Sequence, residues 1–323
     1  MPRSILAGRN RLGLVVLALG AWTLVVADGH AQSVSEPNVQ AASYDRTTPA
    51  PTSQTARFGR REPLVGDQME QTLSVEVQLD TLLRQGTTVV ERSTSALRRQ
   101  QRRIVTTTHV IKGMTVAVLV RYVQAGKQTA AGTSAGKLGE STLAPQPVEG
   151  KAYRCRRDGD ALLITDEAGK IPPLAESEIV SQNMETLGRP NPLADFLAGK
   201  SLTVGQKLAV PNDVAEKLLG LGGEMGSVTH FELTLANVTQ IDGASCAEFR
   251  ANIEAASNDS SQMRLVVDGP LVIQIDTCRA VAANFTGPIG MSETRGSLTA
   301  TYQMAGTGNM AVSIASKYSD AKR

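Results

Sequence analysis

In THFELTLANV, residues 229–238, apolar and polar side chains alternate, and this alternation predicts the fold of the chain. Phe231 and Leu233 fall on one side of the segment, while His230 and Glu232 fall on the other. A two-residue period is typical of a β-strand with one buried face. The pattern recurs across residues 227–318 with short turns between the segments, so we predict an antiparallel meander there.

The apolar side of this meander is the first candidate functional surface. It keeps one register from each predicted strand to the next, which favours a continuous wall. Such a wall can hold a hydrophobic ligand on a concave face, or the chain's own helices can close it. The residues interpreted as ligand-facing are Phe231, Leu233, Leu235, Phe249, Ile253, Leu265, Ile273 and Phe285.

Residues 64–165 carry a second set of strand patterns. Lys112-Gly113 in this part and Asp242-Gly243 in the later part are both typical of tight hairpin turns. The two regions, 64–165 and 227–318, are therefore predicted as two similar meander halves of one curved sheet.

Two positions in the meander are harder to assign. Asp268-Gly269-Pro270 fits either a bulge in a long bent strand or a hairpin turn of its own, because proline cannot donate to a strand ladder. Residues 287–296 are rich in glycine, so we predict a link between strands there.

The segment between the halves, residues 173–220, has helical signals. An apolar stripe predicts a helix over residues 175–187, and Pro211 and Gly220 frame a second one over residues 213–219. These helices need an apolar surface to lie on, and the concave face of the sheet offers one. The residues assigned to a lid over that face are Val214, Leu218 and Leu219.

The predicted fold class is mainly β. It consists of a curved antiparallel sheet, a half-barrel-like meander, with two or three short helices packed on one face.

The start of the chain has the features of a secretory signal. Residues 1–31 combine a basic beginning, an apolar run and small residues, with cleavage expected near Ala31. Residues 32–63 are rich in Ser, Thr, Pro and Ala and are predicted as a disordered linker, followed by one β domain over residues 64–323. We expect a secreted or periplasmic protein without a transmembrane span after cleavage. An uncleaved membrane anchor is the alternative.

The charge balance bears on the partner. Removing Arg3, Arg9, Arg11 and Asp28 with the signal leaves 30 basic and 30 acidic residues of the original 33 and 31. A nucleic-acid-binding protein needs a net basic surface to displace counterions from phosphates. We therefore expect no nucleic-acid partner.

Six arginines between residues 84 and 103 stand against a single glutamate. A solvated hairpin tip or short helix explains them most simply, and a patch for an anionic surface is the functional alternative. The residues of that candidate patch are Arg98, Arg99, Arg102 and Arg103.

Three cysteines, an odd number, occur in a chain that we expect to be exported. Cys246 and Cys278 fall at the same end of adjacent predicted strands, so a disulfide between them is one prediction. Three reduced, buried thiols, including Cys155, are the other.

Motifs that carry catalysis are missing from the sequence. We find no nucleophile elbow, phosphate-binding loop, dinucleotide fingerprint or paired histidines, and we expect no metal and no cofactor. Asp158, Asp160 and Asp166 lie near one turn, and a hydrolase using them is the only enzymatic alternative. Acidic residues beside glycine are also what turns require.

Residues 188–197, GRPNPLADFL, together with Val204-Gly205-Gln206 and the later sheet, resemble an uncharacterised family of secreted bacterial envelope proteins. In outline the architecture is also similar to periplasmic lipoprotein-carrier-like half-barrels. The second resemblance implies a curved sheet that wraps apolar helices and can hold acyl chains. The family departs from this chain at Gln206 and Leu208, where its members often have Asp and Trp.

These observations give three functional expectations. The first is a secreted, non-enzymatic β scaffold of the cell envelope that binds a lipid, another apolar ligand or an envelope protein. The second is a structural or interaction protein with a closed core. The third is the hydrolase.

Overall fold

The computed structural model describes residues 54–133, 142–219, 227–257, 261–297 and 300–321. Strands dominate these ranges, and the longest run over 18 to 24 residues. The described strands are β1 (Thr55–Arg57), β2 (Gln68–Gln85), β3 (Thr88–Ile111), β4 (Met114–Thr133), β5 (Ala144–Pro145), β6 (Ala152–Asp158), β7 (Ala161–Asp166), β8 (Ser201–Thr203), β9 (Lys207–Ala209), β10 (Ser227–Ile241), β11 (Ala244–Ala256), β12 (Ser261–Gln274), β13 (Ala280–Ser297) and β14 (Ala300–Ser319).

A 12-stranded antiparallel sheet contains all of them except β1 and β8, which pair with each other. Its order is β7-β6-β4-β3-β2-β14-β13-β12-β11-β10-β9, with β5 beside β4. Its two ends do not pair, so the sheet stays open. The strands predicted as two halves join through β2 and β14, which pair from Gln68↔Ser319 to Gln85↔Tyr302.

Three helices are described: α1 (Leu174–Asn183), α2 (Pro192–Leu197) and α3 (Asn212–Leu219). The side chains of α1 join Met69 of β2 in the smaller of two buried apolar clusters, and those of α2 and α3 join Leu73 in the larger. Met69 and Leu73 point to the same side of β2, since its buried residues alternate. All three helices therefore cover one face, here called the inner face. The prediction of a mainly β fold with short helices on one face is confirmed.

The two-residue hairpin turns form as predicted. Lys112 and Gly113 have φ values of 50° and 71°, and Asp242 and Gly243 have 49° and 80°. Positive φ at both central positions is the geometry that matches the twist of the flanking strands. Local turn chemistry therefore sets the register of these two hairpins.

The linker prediction is wrong at its carboxyl end. Residues 1–53, which include the predicted signal and most of the linker, lie outside the described residues. β1 pairs with β8, however, and Ala56 and Phe58 are 1% and 2% exposed in the larger cluster. The folded part therefore begins before residue 64. The composition of this segment did not reveal this, because the apolar partners of the two side chains are distant in sequence.

The Gly-rich residues 287–296 are part of β13 and not a link. Gly287 lies where an added Cβ would be 2.0 Å from the backbone oxygen of Val266. Glycine here permits close approach of two strands, so it supports the sheet instead of interrupting it. Gly269 has the same role, and β12 continues through Asp268-Gly269-Pro270 as a single strand.

Candidate functional site

The predicted ligand wall forms a single surface, and the chain itself covers it. All eight wall residues belong to the larger apolar cluster, and each is at most 2% exposed. Leu218 and Leu219 of α3 are buried in the same cluster, while Val214 packs against it half-buried. Phe58 also covers this wall, because its ring stacks on that of Phe249. A ligand reaches these eight residues only if the cover moves.

The inner face continues beyond this cover. Met263 of β12 lies one inward-facing position before the buried Leu265, and Met291 of β13 lies one such position after the buried Ile289. Both methionines are half-buried. They are direct partners in the ladder, and both pack against the edge of the larger cluster. The wall therefore emerges from its cover at these two side chains.

Gly306 of β14 leaves space for the side chain of Met291. It pairs with Met291 on one side, and an added Cβ would lie 2.8 Å from Cγ of Met291 and 3.3 Å from Cδ2 of Leu79. The side chain of Met291 therefore extends over Gly306 toward β2. Two residues before Gly306 on β14, Met304 is half-buried and pairs with Leu83 of β2.

We call Met263, Met291, Met304 and Gly306 the methionine shelf. An open groove of about 580 Å³ lies at this end of the sheet. Its lining contains the shelf residues Met263, Met291 and Gly306 together with residues that alternate with them along the strands, among them Gln262, Arg264, Ser292 and Thr307. Methionine is unbranched and polarisable, so it adapts to apolar ligands of irregular shape. Tyr302 of β14, two residues from Met304, is 36% exposed.

The four arginines of the candidate patch divide between the two faces of the sheet. Arg98 and Arg102 point outward and form ion pairs with Glu76 at 3.0 Å and with Glu70 at 2.6 Å. Arg99 and Arg103 point inward and are 7% and 1% exposed. A single patch of four is therefore wrong, because β3 is an extended strand and neighbouring side chains alternate.

A polar seam separates the two apolar clusters on the inner face. Arg103 donates from Nε and Nη2 to Oε1 of Gln71, at 3.0 and 2.7 Å, and from Nη1 to the carbonyl oxygen of Asn183 at 3.4 Å. Arg99 donates from Nη2 to Oδ1 of Asn183 at 3.3 Å. Among the described residues, no carboxylate forms an ion pair with either inward arginine.

Three buried polar atoms of this seam have no hydrogen-bond partner among the described residues: Nε of Arg99, Oε1 of Gln101 and Oγ1 of Thr107. Buried polar groups are almost always satisfied by protein, water or ligand. Burial, and then the charge of Arg103, lowers the pKa of Arg99 from 12.5 to about 10. With that pKa, Arg99 keeps its positive charge at neutral pH.

The predicted disulfide is wrong, since all three cysteines are free and buried. Cys246 lies opposite Gln274 in the ladder, while Cys278 sits in the turn beyond β12 with a φ of 54°. That turn directs Cys278 into the larger cluster, where its Sγ donates to the carbonyl oxygen of Gly59 at 3.0 Å. Burial raises the pKa of Cys278 to about 11 and that of Cys155 to about 12.

The acidic residues near the 158–159 turn have separate contacts. Asp158 lies 3.9 Å from Arg156, and both side chains are well exposed. Oδ1 of Asp166 accepts from the backbone N–H of Lys170 at 2.8 Å, and Asp160 is exposed. These are contacts of turn residues, and none of them joins two of the three carboxylates.

Comparison with known proteins gives no close relative. No family model matches the chain, and a search of curated proteins finds no match. A structure of lipid–protein interactions in lipovitellin aligns with a TM-score of 0.36 and 6% identity, covering 79% of this chain and 26% of that one. MucB in complex with MucA(peri) aligns with a TM-score of 0.09 and 8% identity, covering 73% and 87%.

This chain thus spans about a quarter of the lipovitellin chain that it aligns with. Neither similarity is close enough to assign a function. None of the three described helices is long and apolar enough to cross a membrane.

Sequence reasoning found the wall but missed the shelf. Met263 lies in the predicted odd-numbered register, yet Met291 falls in the Gly-rich stretch that was predicted as a link. The signal that could have found it is the two-residue spacing from Phe285 through Ile289 to Met291, which continues the inward face across the glycines.

Proposed function

We propose that this protein is a secreted, non-enzymatic binding protein of the cell envelope, and that its methionine shelf holds an apolar ligand such as an acyl chain. One observation carries the proposal: the inner wall is sealed over its predicted residues and becomes accessible at Met263 and Met291. Contiguous apolar surface that stays open to solvent commonly marks a binding site. Export through residues 1–31 is part of the proposal.

The shelf suits a flexible apolar chain. It consists of three thioether side chains and a glycine, which provide apolar contact area. Gln262, Arg264, Ser292 and Thr307 line the same groove and supply polar groups beside them. Below the shelf the larger apolar cluster begins at once, with Leu265 and Ile289 each at most 2% exposed. A bound chain would therefore extend the core of the protein along the strand direction.

Binding of a fluorescent fatty-acid analogue tests this function. The protein should bind it saturably, and Met291→Glu should weaken the affinity at least about tenfold, because a carboxylate placed against an acyl chain must be desolvated. Thr294→Glu, an exposed position on the outer face of the same strand, is the matched control and should change the affinity less than about twofold. No saturable binding, or equal losses in both variants, would contradict the proposal.

A second candidate is a structural or interaction protein with a closed core. The sealing of all eight wall residues favours it, since a packed wall needs no ligand. Native mass spectrometry of the purified protein distinguishes the two candidates. A co-purifying apolar molecule supports the first, and a ligand-free protein that captures no added fatty acid supports the second.

A further inference from the structure

The polar seam contains positive charge that the described residues do not neutralise. Arg99 and Arg103 lie on one face of β3, at most 7% exposed. Their described partners are amide and carbonyl oxygens and the side chain of Tyr122, and none is a carboxylate. Removing a charged group from water is costly unless an opposite charge or several hydrogen bonds replace the lost solvation. An anion at this point would replace it.

The two arginines are not equally satisfied. Arg103 donates to Gln71 and to the carbonyl oxygen of Asn183, the last residue of α1, and it also hydrogen-bonds Tyr122. The carbonyl end of a helix carries partial negative charge and stabilises a nearby cation. Arg103 therefore has a structural role in holding α1 to the sheet, and it is not the group that lacks a partner.

Arg99, in contrast, has an N–H group without a hydrogen-bond partner among the described residues. It has a single described hydrogen bond, from Nη2 to Oδ1 of Asn183, and its buried Nε has none. Adjacent N–H groups of a guanidinium form a fork that fits the two oxygens of a carboxylate or phosphate. An unpartnered Nε beside a weakly engaged Nη2 leaves one side of that fork available.

A second cation lies on the same face beside Arg99. Lys127 of β4 is its direct ladder partner, and directly opposed residues of an antiparallel pair point to the same side. Lys127 is exposed, while Arg99 keeps 7% of its surface exposed. An anion could thus approach from solvent past Lys127 and end on Arg99.

We propose that Arg99, assisted by Lys127, binds an oxyanion, either a phosphate or a carboxylate group. The site lies on the inner face between the two apolar clusters, apart from the methionine shelf. It therefore does not depend on the shelf binding a ligand. The oxyanion can be a free ion or the head group of an amphiphile, and the two sources share this chemistry.

Calorimetric titration at constant ionic strength tests the site. The ligands are inorganic phosphate and decanoate, with decanol as the uncharged control. We expect saturable binding of phosphate, decanoate or both, weakened at least tenfold in Arg99→Gln. Arg98→Gln removes the same charge from the outer face and should change the affinity less than twofold. Binding of phosphate indicates a free ion, and binding of decanoate alone indicates an amphiphile.

A stability measurement keeps the proposal testable if Arg99→Gln folds poorly. In a chloride buffer, Arg99→Met should melt at the same temperature as the unmodified protein or higher, because it removes an uncompensated buried charge. Addition of phosphate should raise the Tm of the unmodified protein and leave that of Arg99→Met unchanged. Decanoate, which the proposed methionine shelf also holds, should raise the Tm of the unmodified protein more than that of Arg99→Met. The proposal is overturned if neither anion binds or raises Tm, if decanol binds as well as decanoate while phosphate is silent, or if Arg98→Gln and Arg99→Gln behave alike.

Discussion

The ring of Phe58 stacks on that of Phe249, with the centroids 5.9 Å apart and the planes at 26°. The backbone around Phe58 is equally fixed: its N–H donates to the carbonyl oxygen of Lys200 at 2.9 Å, and its own carbonyl accepts from Gly199 at 2.8 Å. A segment that precedes the large sheet in sequence thus helps to seal the larger apolar cluster.

Replacing Phe58 with alanine should destabilise the protein by about 3–5 kcal/mol, because a fully buried aromatic ring is lost and a cavity remains. Urea unfolding followed by circular dichroism would measure the change. Val65→Ala is the control, since Val65 is 59% exposed, and its effect should stay within about 0.5 kcal/mol. If Phe58→Ala is as mild as Val65→Ala, the amino-terminal segment does not belong to the core.

Close strand approach at Gly308 gives a second prediction. A Cβ at Gly308 would lie 1.9 Å from the backbone oxygen of Gln78, so Gly308→Ala must move a central strand pair. We expect a loss of about 3 kcal/mol in the free energy of unfolding.

Gly290→Ala provides the matched control on the neighbouring strand. The nearest atom to an added Cβ there is the backbone oxygen of Gly306, 4.0 Å away, which is ordinary contact. Its effect on stability should stay within about 0.5 kcal/mol. Equal effects of the two alanines would show that β2 and β14 are not packed as closely as described.

Acid stability should depend on Glu176. Its carboxylate accepts from Nζ of Lys151 at 2.7 Å and from the hydroxyl of Tyr153 at 2.6 Å. These two hydrogen bonds, that of Lys151 first, lower the pKa of Glu176 from its ordinary 4.5. A lowered folded-state pKa contributes stability that is fully present above about pH 4.5 and is lost as the pH falls through the folded-state value.

Glu176→Gln should therefore be less stable than the unmodified protein by about 1–3 kcal/mol at pH 7, with the difference shrinking as the pH falls below 4.5. Chemical unfolding at several pH values would measure it. Glu178→Gln, an exposed position on the same helix, should remain close to the unmodified protein throughout. A difference that is independent of pH would exclude the assigned role of the carboxylate.

The meander was predictable because period-2 alternation is a local signal, and segments such as β10 and β11 contain it in full. β3 was not recognised over its whole length, since residues 88–103 are mostly Arg, Ser, Thr and Gln without alternating apolar side chains. Pairing with β2 on one side and β4 on the other holds this strand extended. The local sequence of β3 does not show either pairing. The division of Arg98 and Arg99 between two faces follows only once that strand is known.

The sealed wall shows a similar limit. Alternation correctly put Phe231 and Phe249 on one face, but no local pattern tells whether that face is covered. The cover comes from residues that are remote in sequence, namely Phe58 and the helices α2 and α3. The wall becomes accessible at Met291, beyond the part of the sheet that they cover. Burial of a predicted face is a tertiary property.

Photo-crosslinking tests the central claim most directly. A fatty acid carrying a diazirine in its chain would be bound to the purified protein, irradiated, and mapped by peptide mass spectrometry. We predict that the adducts concentrate on the peptides containing Met263, Met291 and Met304, and that unlabelled fatty acid suppresses them. Adducts spread over the outer face, or adducts that unlabelled fatty acid does not suppress, would contradict a ligand site at the methionine shelf.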